Sequence, residues 1–345
     1  MTRTAAVVCA AAFVASGLAG LSAAHEPATS AGTEQAQAQS STPPPQGGQQ
    51  TAAPPQGRGG RQAGPPSMGG GQCSANPLNC PDAPNPLPKA DTVWIEEMTW
   101  MDVRDAMKAG KTTVIVSTGG IEPNGPWLAL GKHNYVLRAN CDAIARKLGN
   151  ALCAPIDPFV PEGNPSARQG HMATMGTISL REETFQALLT DIVTSLKTHG
   201  FEHIILIGDS GGNSSGANVT DPARMRGMAA VARALNTEWA GTPLVAHIPQ
   251  YYDYASVTKE MASRGLIKEG QSDGLHDDAI ITLNMFITDP KSVRYEERVK
   301  AGKATINGVS IADRAKNLEL ARAIVDYRAT VTSEAIKRAI EAKGK

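Results

Sequence analysis

The stretch "GGIEPNGPWLALGKHNY" (119–135) sets a carboxylate, Glu122, an amide, Asn124, and an imidazole, His133, among glycines and prolines. A second stretch, "IGDSGGNSSG" (207–216), contributes Asp209, Ser210 and Asn213, and "SDGLHDDA" (272–279) contributes Asp273, His276, Asp277 and Asp278. Carboxylates and imidazoles drawn from several loops make an oxygen and nitrogen shell that suits Zn²⁺, Mn²⁺ or Fe²⁺. Such an ion lowers the pKa of water and polarises a carbonyl, which is the chemistry of hydrolysis. Taken singly, each residue also has an ordinary structural role. Glu122 before Pro123 suits a turn, His133 a helix cap, Asp277 and Asp278 a helix start, and His199, His203 and His247 read as structural groups.

The elements that must position these groups are visible as patterns. "TTVIVST" (112–118), "HIILIG" (203–208) and "PLVAHI" (243–248) are short, β-branched and without alternation, as expected of strands buried on both faces of a parallel sheet. Between the first two, "SLREETFQALLTDIVTSLKTHG" predicts an amphipathic helix. Ser179 and Glu182 are its expected capping box, Phe185, Leu188, Leu189, Ile192, Val193 and Leu196 its apolar stripe, and Gly200 its stop. A helix over 135–148 precedes a short strand "ALCAPI", and another over 221–236 precedes the third buried strand. This alternation predicts an α/β sandwich with a mostly parallel sheet and right-handed crossovers. Parallel strands deliver their carboxyl-terminal loops to one edge, so Glu122 and Asp209 are expected to be neighbours.

On these residues the segment 113–213, and more loosely 90–290, resembles the creatininase family of metal-dependent amidohydrolases. The family pattern is a strand followed by "E-x-H-G-x-H-L-P-L-x-T-D", then "H-x-x-F-P-G-T-I-S-L", "N-G-H-G-G-N" and "H-A-G-x-x-E-T-S". The matching stretches are "EPNGPWLALGKH", "HMATMGTISL" (171–180), "GDSGGN" (208–213) and "SDGLHDDA". The resemblance implies a three-layer α/β/α sandwich, a small amide or cyclic amide as substrate, and a closed homo-oligomer, often a hexamer. The departures fall on the chemistry. Glu122 keeps the place of the first glutamate, but Asn124 stands where a ligand histidine would be, His133 where an aspartate would be, Ser210 where a second histidine would be, and Asp277 where a glutamate would be. One strong site held by Glu122, His133 and Asp209 is therefore expected, with a second, weaker or absent site for which Asn124, Ser210 and Asn213 are the candidate ligands or shell. Asp277 is another candidate ligand there. His171, His276 or Asp277 would carry protons, and Trp127, which replaces a family histidine, would wall the pocket.

Two rival readings remain open from the residues. "GDSGG" satisfies G-x-S-x-G at Ser210 after a strand, with Asp253, Asp273 and His276 following in the order of a serine hydrolase triad, although the loop after Ser210 is long for a nucleophile elbow. A non-catalytic binding protein that keeps the fold is the other.

Composition bounds the rest. The chain has 345 residues, and its 33 basic and 33 acidic side chains cancel, without the basic runs that suit nucleic acid. The first 24 residues carry Arg3, an apolar run and small residues, and read as a cleaved secretory signal that leaves no stable membrane anchor. Export to the periplasm or beyond is expected. Residues 25–88 read as a Pro/Gly/Gln-rich spacer with a Cys73–Cys80 disulfide, and the domain is expected over 89–345. Cys141 and Cys153, in apolar surroundings, are expected to be buried thiols.

Overall fold

The computed structural model describes residues 80–213, 221–268 and 275–343. The expected signal peptide, Cys73 and most of the expected spacer lie outside these residues, as does Asp273. Cys80 is disulfide-bonded. Residues just after it lie along the first helix, α1 (Trp100–Lys108), where Arg104 donates to the carbonyls of Pro81 and Ala83 and Asn85 donates to Asp102 at 2.8 Å.

Four parallel strands form the central sheet: β1 (Thr113–Thr118), β2 (Ala151–Cys153), β3 (His203–Gly208) and β4 (Leu244–His247), in the order β2-β1-β3-β4. All six residues of β1 are buried, which accounts for its unbroken apolar and β-branched run. Alternate side chains serve opposite layers. Ile115, Ile205 and Ile207 pack on α2 (Lys132–Leu148) and on the long C-terminal helix α8 (Arg314–Lys343), while Val114, Val116, Ile204 and Leu206 pack on α3 (Glu182–Thr198) and α4 (Gly227–Glu238). The architecture is thus the expected three-layer sandwich with a parallel sheet. Beyond the sheet, α5 (Tyr254–Ser263) and α6 (Ala279–Thr288) join α8 in a smaller apolar cluster. After α7 (Tyr295–Lys300), a two-stranded ribbon, β5 (Thr305–Ile306) with β6 (Val309–Ser310), adds Ile306 and Val309 to that cluster. Among the described residues no helix is long and apolar enough to cross a membrane.

Four local expectations are corrected. Cys141 and Cys153 are not thiols but a disulfide joining α2 to β2. Both are fully buried where the two elements meet, so apolar surroundings brought the sulfurs together. Ser179 and Glu182 do not cap α3, whose N-cap is Arg181 without a side-chain bond. The Ser179 hydroxyl instead accepts from the Glu162 N–H at 2.9 Å, and the Glu182 carboxylate accepts from the Gly227 N–H. α4 begins at Gly227 rather than Asp221, because the chain first makes a 3-10 turn at Pro222–Arg224. α2 begins at Lys132 rather than Tyr135, which puts Lys132 and His133 in its first turn.

Candidate functional site

Loops leaving β1, β2 and β3 meet at the carboxyl edge of the sheet. The β1 loop brings Glu122, the first turn of α2 brings Lys132 and His133, the β2 loop brings Glu162 and His171, and the β3 exit brings Asp209 and Ser210. The segment "GTISL" (176–180) ties the first two loops together. Ile178 N–H donates to the Ile121 carbonyl at 3.1 Å, Leu180 N–H donates to Val160 at 3.0 Å, and Ser179 holds Glu162. Glycine is required where the loops touch. A Cβ on Gly120 would lie 2.0 Å from Glu162 Oε1, and one on Gly212 would lie 2.1 Å from the Pro161 carbonyl oxygen.

At the centre, His133 sits between two carboxylates. Its Nε2 lies 2.9 Å from Glu122 Oε1 and its Nδ1 lies 2.9 Å from Asp209 Oδ2. Burial works against the charge of His133, but hydrogen bonds to Asp209 and Glu122 outweigh it and raise its pKa above the ordinary histidine value. Glu122 is 2 % exposed. Burial again opposes its charge, and the hydrogen bond from His133 with the charges of His133 and Lys132 holds it well below the usual carboxylate range. Asp209 is fully buried and is held low by His133 and Arg328 against its own burial. Its oxygens accept from Arg328 of α8 at 3.1 Å and from the Tyr254 hydroxyl at 2.9 and 3.0 Å.

Glu162 is the group that sequence reasoning missed. One of its oxygens accepts from Ser210 Oγ at 3.1 Å, and the other, Oε1, is buried without a hydrogen-bond partner. Burial first, and the neighbouring Glu122 charge second, push the Glu162 carboxyl up to about 8. Glu122, His133 and Glu162 each offer a ligand atom, all within 4.8 Å of one another, so these three buried residues are the metal-site candidate. The arrangement fits a single divalent cation. Two carboxylates and an imidazole are suitable donors, and an orphaned buried oxygen together with a carboxyl that resists ionisation is what a missing positive charge leaves behind. Asp209, expected as a third ligand, lies behind His133, where it fixes the imidazole from its far side.

The other expected residues are distributed around this centre. His171 Nδ1 lies 2.7 Å from Glu122 Oε2 and 3.6 Å from Glu162 Oε2, and His276 Nδ1 lies 3.2 Å from Glu122 Oε1. Both imidazoles are about one-third exposed and meet edge to face with centroids 5.7 Å apart, so they line the solvent side of the cluster. Burial, with Lys132 beside it, lowers the pKa of His276. Asp277 takes its polar contacts from Arg298 at 2.6 Å and Thr282 at 3.2 Å, outside the Glu122 cluster. Trp127 stacks 5.8 Å from the Arg298 guanidinium. Asn124 donates to the carbonyls of Glu122 and Ala129, both at 3.0 Å, and so staples its own loop. Asn213 braces the end of β1 by donating to Thr118 and Gly119. Ser210 is bonded to Glu162 and to the Gly212 N–H, with no histidine on its hydroxyl among the described residues, and α4 starts far beyond it. Among the described residues the nucleophile elbow therefore has neither an α-helix directly after it nor a base on its hydroxyl. Glu162 did carry one readable signal: "VPEGNP" follows a strand, as "IEPNGP" around Glu122 does.

Fold and cluster together define the class: a three-layer α/β protein with a buried carboxylate and imidazole site at the carboxyl edge of a parallel sheet. The chain belongs to the creatininase family, whose model, described as creatinine amidohydrolase, matches residues 96–344. A creatinine amidohydrolase of Pseudomonas putida is 23% identical over 123 residues, 36% of this chain and 46% of that protein, so the chain spans less than half the length of this curated relative. Among solved structures, a creatinine amidohydrolase (creatininase) is 19% identical over 74% of this chain and 98% of its own, with a TM-score of 0.48. One described as "Creatininase Mn" is 18% identical over 72% and 98%, with a TM-score of 0.49. The chain thus has a creatininase-family fold with a buried Glu/His metal-site candidate.

Proposed function

We propose that this protein hydrolyses a C–N bond of a small amide or cyclic amide, with one Zn²⁺, Mn²⁺ or Fe²⁺ ion held by Glu122, His133 and Glu162. The observation that carries the reading is the convergence of these three buried groups beneath two half-buried histidines in a chain of this family. The ion would supply Lewis acidity and a nucleophile at neutral pH. The protein's residues do the rest. Asp209, itself fixed by Arg328 and Tyr254, holds His133 through Nδ1 so that Nε2 faces the cluster. His171 and His276 stand where a proton must pass between the centre and a leaving nitrogen, the task imidazole most often performs. Ser210 steadies one oxygen of Glu162. Phe159, Met175 and Leu275 are exposed apolar side chains on the loops that carry Glu162, His171 and His276, and they suit a small ring better than an extended polar chain. Creatinine, named for the relatives, is the first substrate to try, followed by hydantoins and lactams.

Export is part of the proposal, supported by the Cys141–Cys153 disulfide, since such bonds persist in oxidising compartments. A closed homo-oligomer is proposed on the family resemblance. The catalytic test is hydrolysis of a cyclic-amide panel before and after a chelator, with Zn²⁺ or Mn²⁺ restored. Turnover that the chelator abolishes and metal restores, and that drops at least about 100-fold in His171→Ala or His276→Ala, is expected. Turnover unaffected by the chelator would move the chemistry away from this centre.

A further inference from the structure

Lys132 is the least expected member of the cluster. It is 2 % exposed and forms an ion pair with Glu122 Oε1. A fully buried lysine is rare, and here it also occupies the first turn of α2, where the helix dipole disfavours a positive charge. The same oxygen of Glu122 faces His133 Nε2 at 2.9 Å and His276 Nδ1 at 3.2 Å, so three nitrogens crowd one acceptor. Burial lowers the pKa of Lys132, and the charges of Glu122, Asp209 and Glu162 oppose that, so it lies in the field of both carboxylates of the candidate centre and of the one behind it.

Resting on the metal reading above, we propose that the Lys132 ammonium is a built-in cation that shares the oxygen cluster with the metal and competes with it for Glu122. In this chain the ion does not enter a vacant set of donors. It must take Glu122 Oε1 from Lys132, whose backbone is anchored in α2 and whose stem is buried, so the ammonium can withdraw only locally and remains close enough to repel a divalent cation. The consequence is a site with weakened affinity that fills only at high metal supply, because Glu122 already has a cationic partner in the metal-free protein while Glu162 has none.

The test is metal affinity, read by competition with a fluorescent chelator for Zn²⁺ and Mn²⁺ separately, on the full mature chain, its Lys132→Met variant and its Lys132→Gln variant. Glutamine keeps a donor for Glu122 without the charge, so folding and charge effects separate, and circular dichroism checks the fold of each. Binding at least about tenfold tighter in both variants, with a larger metal-induced rise in melting temperature than in the wild type, is expected. Wild-type affinity equal to that of both variants overturns the competition while leaving the metal site standing, and weaker binding in the variants makes Lys132 an organiser of the site instead. Absence of metal binding by all three proteins overturns the metal reading and the competition with it.

Discussion

At the scale of single residues, the centre is organised by which carboxylates have partners. Asp209 and Glu122 are both buried, yet each is surrounded by donors and stays ionised. Glu162 has the Ser210 hydroxyl and, at 3.6 Å, His171 on one oxygen, keeps the other unpartnered, and is pushed up to about 8. The sign of the resulting pH dependence follows. With its pKa raised on folding, Glu162 keeps a proton in the folded protein that the unfolded chain has released, so stability falls as pH rises from the ordinary carboxylate value towards about 8 and then levels. For the metal-free protein, Glu162→Gln should raise the melting temperature relative to wild type at about pH 9 and change it little at about pH 5, as scanning calorimetry across that range would record. An equal difference at both ends would show that Glu162 is not protonated in the fold. Glu122 and His133 were legible because one short stretch after β1 carries both, and its glycines and prolines announce a strand exit. Glu162 was not, since none of the stretches that match the family pattern covers "VPEGNP", and Lys132 was not, since a lysine at a helix start ordinarily points to solvent.

At the scale of elements, the strands were easy to read and the joints between them were not. β1 and β3 are buried on both faces, and their β-branched runs say so without any tertiary information. The ends of helices depend on what else claims the capping side chain. Ser179 has the right spacing from Glu182 for a capping box, but its hydroxyl is spent on Glu162, a contact the local pattern cannot contain. The Cys141–Cys153 bond is another joint, tying α2, which carries Lys132 and His133 at its other end, to the short strand β2. A cross-link closing a loop of this length stabilises by about 3 kcal/mol in the chain-entropy account. The double variant Cys141→Ala/Cys153→Ala should therefore unfold at lower urea concentration with a loss of about that size. An unchanged midpoint in the oxidised wild type and the variant would mean the bond contributes nothing beyond packing.

At the scale of the whole molecule, the parallel sheet explains why residues far apart in sequence meet. Four strands pointing one way deliver their loops to one edge, so the proximity of Glu122 and Asp209 followed from topology alone. What topology could not foretell is the reach of α8. Arg328, fully buried between the rings of Tyr251 and Tyr254, crosses 119 positions in sequence to pair with Asp209, so the C-terminal helix fixes the far side of the centre. Nothing in the regular helical pattern of 314–343 marks Arg328 apart from the other arginines there. Around this frame Asn124 staples its own loop, Asp277 pairs with Arg298 of α7 and Thr282 of α6, Ser210 supports a glutamate, and Glu162 lies beside Glu122 and His133.

Direct titration of Mn²⁺ and Zn²⁺ into the mature wild-type protein and its Glu162→Gln variant tests that centre most simply. One ion per chain in the wild type, with affinity reduced at least about tenfold in the variant, is the predicted result. Equal affinity in the two proteins, or no binding to the wild type in large metal excess, would contradict the assignment of Glu122, His133 and Glu162 as the metal-binding centre.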